Sequence, residues 1–205
     1  MAQKTTGIHS LLSNFFIYKI FQRIMSATAY RHGLIKTYIK KKNVNILDIG
    51  CGPAEILDKI KNINYYGYDI NQNYINYAKN KYQRKNHFFF CKKFTSSEIA
   101  KLPKFDHVIL FGILHHLKDS EIKNIFSLIK RVIKKNGTIL TADPIFIKNQ
   151  NPIAKFLISS DRGRNVRNQK EYILLTKKYF KKVEIKVTKQ YFIPYTYFSM
   201  YLKKK

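Results

Sequence analysis

Acid is scarce in this chain: 12 Asp and Glu stand against 39 Lys and Arg, a formal charge of +27 over 205 residues. Glycine and proline are sparse, and the two cysteines, Cys51 and Cys91, exclude a disulfide framework and supply no metal-ligand spacing. No uninterrupted apolar run approaches the roughly 18–20 residues that cross a bilayer, so no transmembrane segment is expected. The opening MAQKTTGIHSLLSN lacks the order of cationic stub, apolar stretch and small-residue cleavage site that a signal peptide needs. These absences lead to the expectation of a cytoplasmic protein. There is no internal repeat and no Gly/Ser-rich or Pro-rich linker, and the length suits one buried core better than two. A hydrophobic content of 45% with 15% aromatics excludes a disordered chain.

The charge invites a nucleic-acid reading, because neutralising phosphates releases counterions. Its distribution argues otherwise. The cations are overwhelmingly Lys, in company with abundant Asn, Ile, Tyr and Phe, a mixture that AT-rich coding produces without functional pressure. The longest basic runs are triplets, Lys40 to Lys42 and Lys203 to Lys205. A dispersed charge of this kind favours compositional drift over a dedicated polyanion site, although acidic lipids or phosphorylated substrates would still be attracted.

Residues 11–42 read as helical, with Leu11, Leu12, Phe15, Phe16, Ile20, Phe21 and Ile24 at helix spacing. Residues 1–43 are thus expected to form a helical cap, whose Phe-rich face could cover a cleft or rest on a membrane. From residue 44 short apolar runs alternate with amphipathic segments. VNILDI, NYYGYDI, HFFFC, FDHVILFG and TILTAD read as strands. AEILDKIKN, QNYINYAKNKYQ, SSEIAKL and DSEIKNIFSLIKRVIKK read as helices, the third capped by Ser96 or Ser97 and the last running from Asp119 to Asn136-Gly137. That rhythm predicts crossovers and a mostly parallel sheet covered on both faces. After a helix around 169–180, VEIKV and YFIPYTYFSMYL predict an antiparallel hairpin on the sheet edge. The tract from about 144 to 168 has no clear period and reads as a lid or substrate loop within a domain spanning 44–205.

The scarce residues converge on NILDIGCGPAEIL, 45 to 57. Ligands of parallel sheets bind at the carboxyl ends of strands, where DIGCGP falls. Gly50 and Gly52 allow a sharp turn and close backbone approach, and Pro53 suits a first helical position that offers free N–H groups to an anionic moiety. A dinucleotide fingerprint would need glycine at position 55, where this chain has Glu55, and no Gly-Lys-Ser/Thr follows, so pyrophosphate cofactors and a P-loop are disfavoured. Asp69, at the end of the second strand, is placed to accept hydrogen bonds from both ribose hydroxyls of a nucleoside; capping the following helix is its alternative role. Asp48 has the alternative of bracing the loop.

In order and spacing, NILDIGCGP, YYGYDI, FDHVILFGILHHL and KKNGTILTADP resemble the motifs of the class I S-adenosylmethionine-dependent methyltransferases, over about residues 40 to 145. The resemblance implies a Rossmann-like α/β fold: a seven-stranded mostly parallel sheet, an antiparallel C-terminal hairpin, helices on both faces. It implies S-adenosylmethionine as cofactor and no metal. Asp48, Gly50, Cys51 and Gly52 would line the cofactor loop, Asp69 and Ile70 would take the ribose and adenine edge, and Phe111, Gly112 and His115 would border the sulfonium end. Where the family often has an acid after the third strand, this chain has Lys92 and Lys93, so adenine must be held by backbone groups or packing.

Methyl transfer is an in-line displacement, to which alignment contributes most; a hydroxyl acceptor also needs a base. His116 and Asp143 are the candidate catalytic residues, with His115 a third candidate base. No NPPY-like element follows the fourth strand and no cysteine is placed for pyrimidine methylation, which disfavours those nucleic-acid chemistries. Arg162, Arg164 and Arg167 concentrate guanidinium groups in one tract and suit an anionic substrate group. With Tyr195 in IPYTYF, that tract resembles one found in bacterial small-molecule methyltransferases. Arginines clamping the lid to Asp161 or Glu171 are the alternative. The expected activity is methyl transfer to a small or medium acceptor, at oxygen. The rivals are an RNA-directed methyltransferase and a non-catalytic protein of the same fold.

Overall fold

The computed structural model describes residues 27–161, 163–191 and 194–204. Its sheet has the spatial order β3-β2-β1-β4-β5-β8-β7, built from β1 (Asn45–Ile49), β2 (Asn64–Asp69), β3 (His87–Cys91), β4 (Phe105–Phe111), β5 (Ile133–Phe146), β7 (Phe180–Gln190) and β8 (Tyr195–Lys204). The five strands from β3 to β5 pair in parallel, while β8 runs antiparallel to both β5 and β7. This is the expected mostly parallel sheet with an antiparallel hairpin. The two-residue β6 (Arg167–Asn168) adds a short parallel pairing to β5. The hairpin is not simply appended: β8 is inserted between β5 and β7, so only β7 forms the edge.

Period-two alternation sorts the strand residues onto two faces. Leu47, Val108, Leu110 and Ile139 pack with Ile122, Phe126 and Ile129 of α3 (Asp119–Val132) and Tyr172 and Leu175 of α5 (Gln169–Lys177). Ile46, Ile109, Phe111 and Leu140 pack with Leu34 and Ile35 of α1 (Ala27–Tyr38) and Ile75 and Ala78 of α2 (Gln72–Tyr82). Central strands buried on both faces read as continuous apolar runs for this reason. The expected helix over 11–42 lies outside the described residues as far as position 26. Its described part, α1, belongs to the same core as the sheet.

Three expected elements differ. AEILDKIKN forms only a one-turn 3-10 helix, Glu55–Asp58, preceded by Ala54 in the left-handed region (φ 56°, ψ 33°). That conformation breaks the continuity an α-helix would need from Pro53 onward, and it puts Pro53 outside any helix. SSEIAKL is a 3-10 helix, Ser96–Lys101, preceded by Thr95 rather than capped by a serine side chain. The long helix stops at Val132, because Ile133 already pairs with Phe105 and the strand then bulges before Thr138 pairs with His107. Gly137 lies in that bulge, where a Cβ would stand 3.0 Å from the Phe105 carbonyl oxygen. The aperiodic tract also holds structure: β5 extends to Phe146, and α4 (Pro152–Ser159) is capped by Asn151, whose Oδ1 accepts from the N–H groups of Ile153 and Ala154.

Candidate active site

Strand order reverses between β1 and β4, and that switch point is where an open parallel sheet leaves a crevice. The loop after β1 shapes it. Gly50 (φ +75°) and Gly52 (φ +54°) both occupy the left-handed region, and the N–H groups of Gly50 and Cys51 donate to the Tyr68 carbonyl at 2.7 and 3.1 Å. Asp69 Oδ2 accepts from Gly52 N at 2.9 Å and Oδ1 from Asn71 N at 2.8 Å. The expected row of free N–H groups at a helix start is therefore absent from this bend; its amides bond within the fold. Helix α2 is capped instead by Asn71.

A cavity of about 450 Å³ opens beside the bend, within the range of small-molecule sites. Gly50, Cys51, Gly52, Asp69, Ile70, Phe111, Gly112 and His116, all expected from the sequence, line it. Asp69 lines the cavity, and a carboxylate offers about four acceptor directions. Phe94, Leu117 and Ile125 add apolar side chains to the lining. Sequence reasoning missed these, as it missed Glu121 and Asn124 on α3, although 121, 124 and 125 share one helix face. It also missed Arg31 of α1, which lines the cavity and lies so close over Gly112 that a Cβ there would meet its guanidinium at 2.6 Å.

Asp48, His115 and Asp143 stand behind the cavity wall. Asp48 is buried and accepts a 2.7 Å hydrogen bond from Tyr65 O–H. Burial pushes its pKa up to about 7, against the lowering effects of Tyr65 and Arg31. Burial likewise raises the Cys51 thiol. His115 Nδ1 is 2.8 Å from Asp143 Oδ1, and Nε2 is 3.5 Å from Asp161 Oδ1. Burial alone would lower the His115 pKa, but the two carboxylates raise it to about 9. Asp161, which burial would raise, is held low by His115.

Of the substrate candidates, Arg162 lies outside the described residues and Arg164 is exposed. Arg167 is buried and its guanidinium is fully engaged. It donates to Asp119 Oδ1 at 2.7 and 3.0 Å and to the carbonyls of Leu114, Asn165 and Leu117 at 3.0, 2.8 and 2.7 Å. It is a clamp, onto Asp119 and not onto Asp161 or Glu171. Tyr195 is buried and donates to Asp161 Oδ2 at 3.0 Å.

A model of the methyltransferase domain matches residues 40–190, the stretch holding every element that builds this cavity except α1. The chain belongs to the methyltransferase-domain family. S-adenosylmethionine is the methyl donor that goes with this family, and the cavity has what it requires: glycines at the positive-φ bend, a carboxylate at the end of β2 and apolar side chains in the lining. A protein of Geobacillus sp. (strain WCH70) named as a methyltransferase is 30% identical to this methyltransferase-domain chain over 112 residues; the match spans 52% of this chain and 44% of that relative. Among solved structures, the PH0226 protein of Pyrococcus horikoshii OT3 has a TM-score of 0.64 at 20% identity, covering 89% of this chain and 91% of that one. The pyocyanin biosynthetic protein PhzM has a TM-score of 0.73 at 13% identity, covering 98% and 62%. Magnesium protoporphyrin IX methyltransferase of Synechocystis PCC 6803, solved with S-adenosylmethionine bound, has 0.61 at 14%, covering 94% and 85%. At these identities the likeness is one of fold. Among the described residues no helix is long and apolar enough to cross a membrane.

Proposed function

We propose that this chain transfers a methyl group from S-adenosylmethionine to a small or medium acceptor, at oxygen. The observation that carries the reading is the Gly50–Gly52 bend with Asp69 bonded to it, both lining one cavity. When bound, the cofactor supplies an electrophilic methyl on a sulfonium. Asp69 accepts from the ribose hydroxyls, Ile70, Phe94, Leu117 and Ile125 enclose the adenine by packing, and Gly50, Cys51 and Gly52 face the methionine part. Phe111 and Gly112 border the sulfonium end, while Asp48 and His115 support the wall from behind. Arg31 offers a cation to the donor's carboxylate or to the acceptor.

His116 is the stronger candidate base, since it lines the cavity while Asp143 Oδ1 is engaged by His115. Residues 144–168 act as the lid of a domain spanning 44–205, with 1–43 as its cap. Arg164, Arg162 and Tyr195 are the lid-side candidates for an anionic acceptor group. A cytoplasmic setting, with contact to a membrane surface through the cap, completes the reading.

Calorimetry with S-adenosylhomocysteine tests the core claim. The unmodified chain is expected to bind, and Asp69→Ala to bind about 10- to 100-fold more weakly, the worth of charge-assisted hydrogen bonds. No heat from well-folded protein would overturn it. The +27 charge favours one rival, methylation of RNA; a filter assay over a salt series checks it, and no retention at low salt removes it.

A further inference from the structure

At the cavity wall lies a cluster that donor binding does not use, with His116 on the cavity side and His115 behind it. His115, His116 and Asp161 each offer a ligand atom, and these atoms all lie within 4.8 Å of one another. We propose that His115, His116 and Asp161 form a binding site for a divalent first-row metal ion of the zinc, cobalt or iron(II) class. The family resemblance implies no metal; His115-His116 and Asp161 are far apart in the chain, and the fold brings them together.

Four observations carry the proposal. His115 Nε2 and Asp161 Oδ1 are 3.5 Å apart, and two ligands about 2.1 Å from one ion at tetrahedral angles are separated by about 3.4 Å. The other nitrogen of His115, Nδ1, meets Asp143 Oδ1 at 2.8 Å. A carboxylate on the far side of a ligating imidazole fixes its tautomer and turns the remaining lone pair toward the ion. Asp161 is itself oriented, by Tyr195 O–H on Oδ2 and Gly163 N–H on Oδ1. Finally, Asp143 Oδ2 is buried with no hydrogen-bond partner among the described residues, so the carboxylate behind His115 has an oxygen left to face a cation.

Two histidines and one carboxylate leave coordination positions open. His116 lines the donor cavity, so the ion would stand at its wall and lower the pKa of a hydroxyl acceptor bound there, with His116 a ligand in place of a free base. That role rests on the proposed methyl transfer; the metal site does not.

The test is titration of chelator-stripped, tag-free full chain with Co²⁺, read by visible absorption, and with Zn²⁺, read by calorimetry. One ion per chain is expected. Asp161→Asn and His116→Ala should each weaken it at least about 10-fold, and Tyr195→Phe, which only loosens Asp161, by about 10-fold. His107→Gln and Cys91→Ser should leave it unchanged. Thermal melts establish that each variant is folded. Absence of one-site binding, binding that survives both ligand variants, or binding lost with Cys91 would overturn the proposal. S-adenosylhomocysteine calorimetry on the stripped protein keeps the two readings apart, since binding there with no Zn²⁺ uptake defeats the metal site alone.

Discussion

Alanine at Gly50 and at Gly52 separates the demands of the fold from those of the ligand. Both glycines have positive φ, and a Cβ in the left-handed region costs about 1–2 kcal/mol. At Gly52 nothing else lies within 4 Å of that Cβ, so strain is the whole structural effect. At Gly50 the Cβ would stand 2.7 Å from Ile113 Cδ1 and 3.3 Å from its Cβ and Cγ1, and such overpacking adds about 1–3 kcal/mol. For a chain of this size about 1 kcal/mol moves Tm by roughly 2–4 °C. Gly52→Ala should therefore lower Tm by about 2–8 °C and Gly50→Ala by about 4–20 °C. Adding Ile113→Val, which removes Cδ1, should restore part of the Gly50→Ala loss. Affinity follows the other order of logic: Gly52→Ala intrudes on the cavity and should weaken S-adenosylhomocysteine at least about 10-fold, or 1.4 kcal/mol. Thermal unfolding followed by circular dichroism, with calorimetry on the same samples, reads both. Equal melting of the two variants, no recovery with Ile113→Val, or unchanged affinity in Gly52→Ala would refute the reasoning.

Arg167→Lys should cost about 2–4 kcal/mol in urea unfolding, because a single ammonium cannot satisfy the Leu114, Leu117 and Asn165 carbonyls together with Asp119; a midpoint equal to the original would show that the clamp carries nothing. Asp48, with its pKa raised to about 7, holds a proton in the folded state that the unfolded chain releases near its usual 3.8. Its contribution to stability should therefore fall as pH rises from about 4 to about 7 and level off above. Asp48→Asn should flatten that slope in denaturation curves taken across the range, and an unchanged slope would count against the assignment. Tyr65→Phe removes the hydrogen bond that lowers this pKa, so the window should extend to higher pH.

The legible parts of the fold are those where one residue decides the matter. Strands β1, β2 and β4 announce themselves because both faces are buried, and Asp69 follows from its place at a strand end. What stayed hidden depends on conformation or on distant partners. Nothing in the composition of AEILDKIKN signals that Ala54 adopts a left-handed φ. His115 and His116 are chemically identical neighbours, and only the 3-10 turn Leu114–His116 sends one behind the wall and the other to the cavity. The arginines drew attention as a group, yet Arg167 is separated from the rest by Asp119, which no local pattern pairs with it. Asn151-Pro152 was a readable helix start, a capping side chain followed by Pro at the first position, obscured by the aperiodic residues around it.

The insertion of β8 sets an order of assembly. Among the described residues strand β7 bonds to nothing in the sheet but β8, and β8 bonds to β5 along seven residue pairs, from Thr138–Lys203 to Pro144–Tyr197. Docking strand by strand from one end of the chain to the other would leave β7 without a seat in the sheet until the later strand has docked. An intermediate with the parallel half formed would show β5 as a raw border, inviting a β8 from another molecule, so exchange of hairpins between chains is the misassembly this architecture courts.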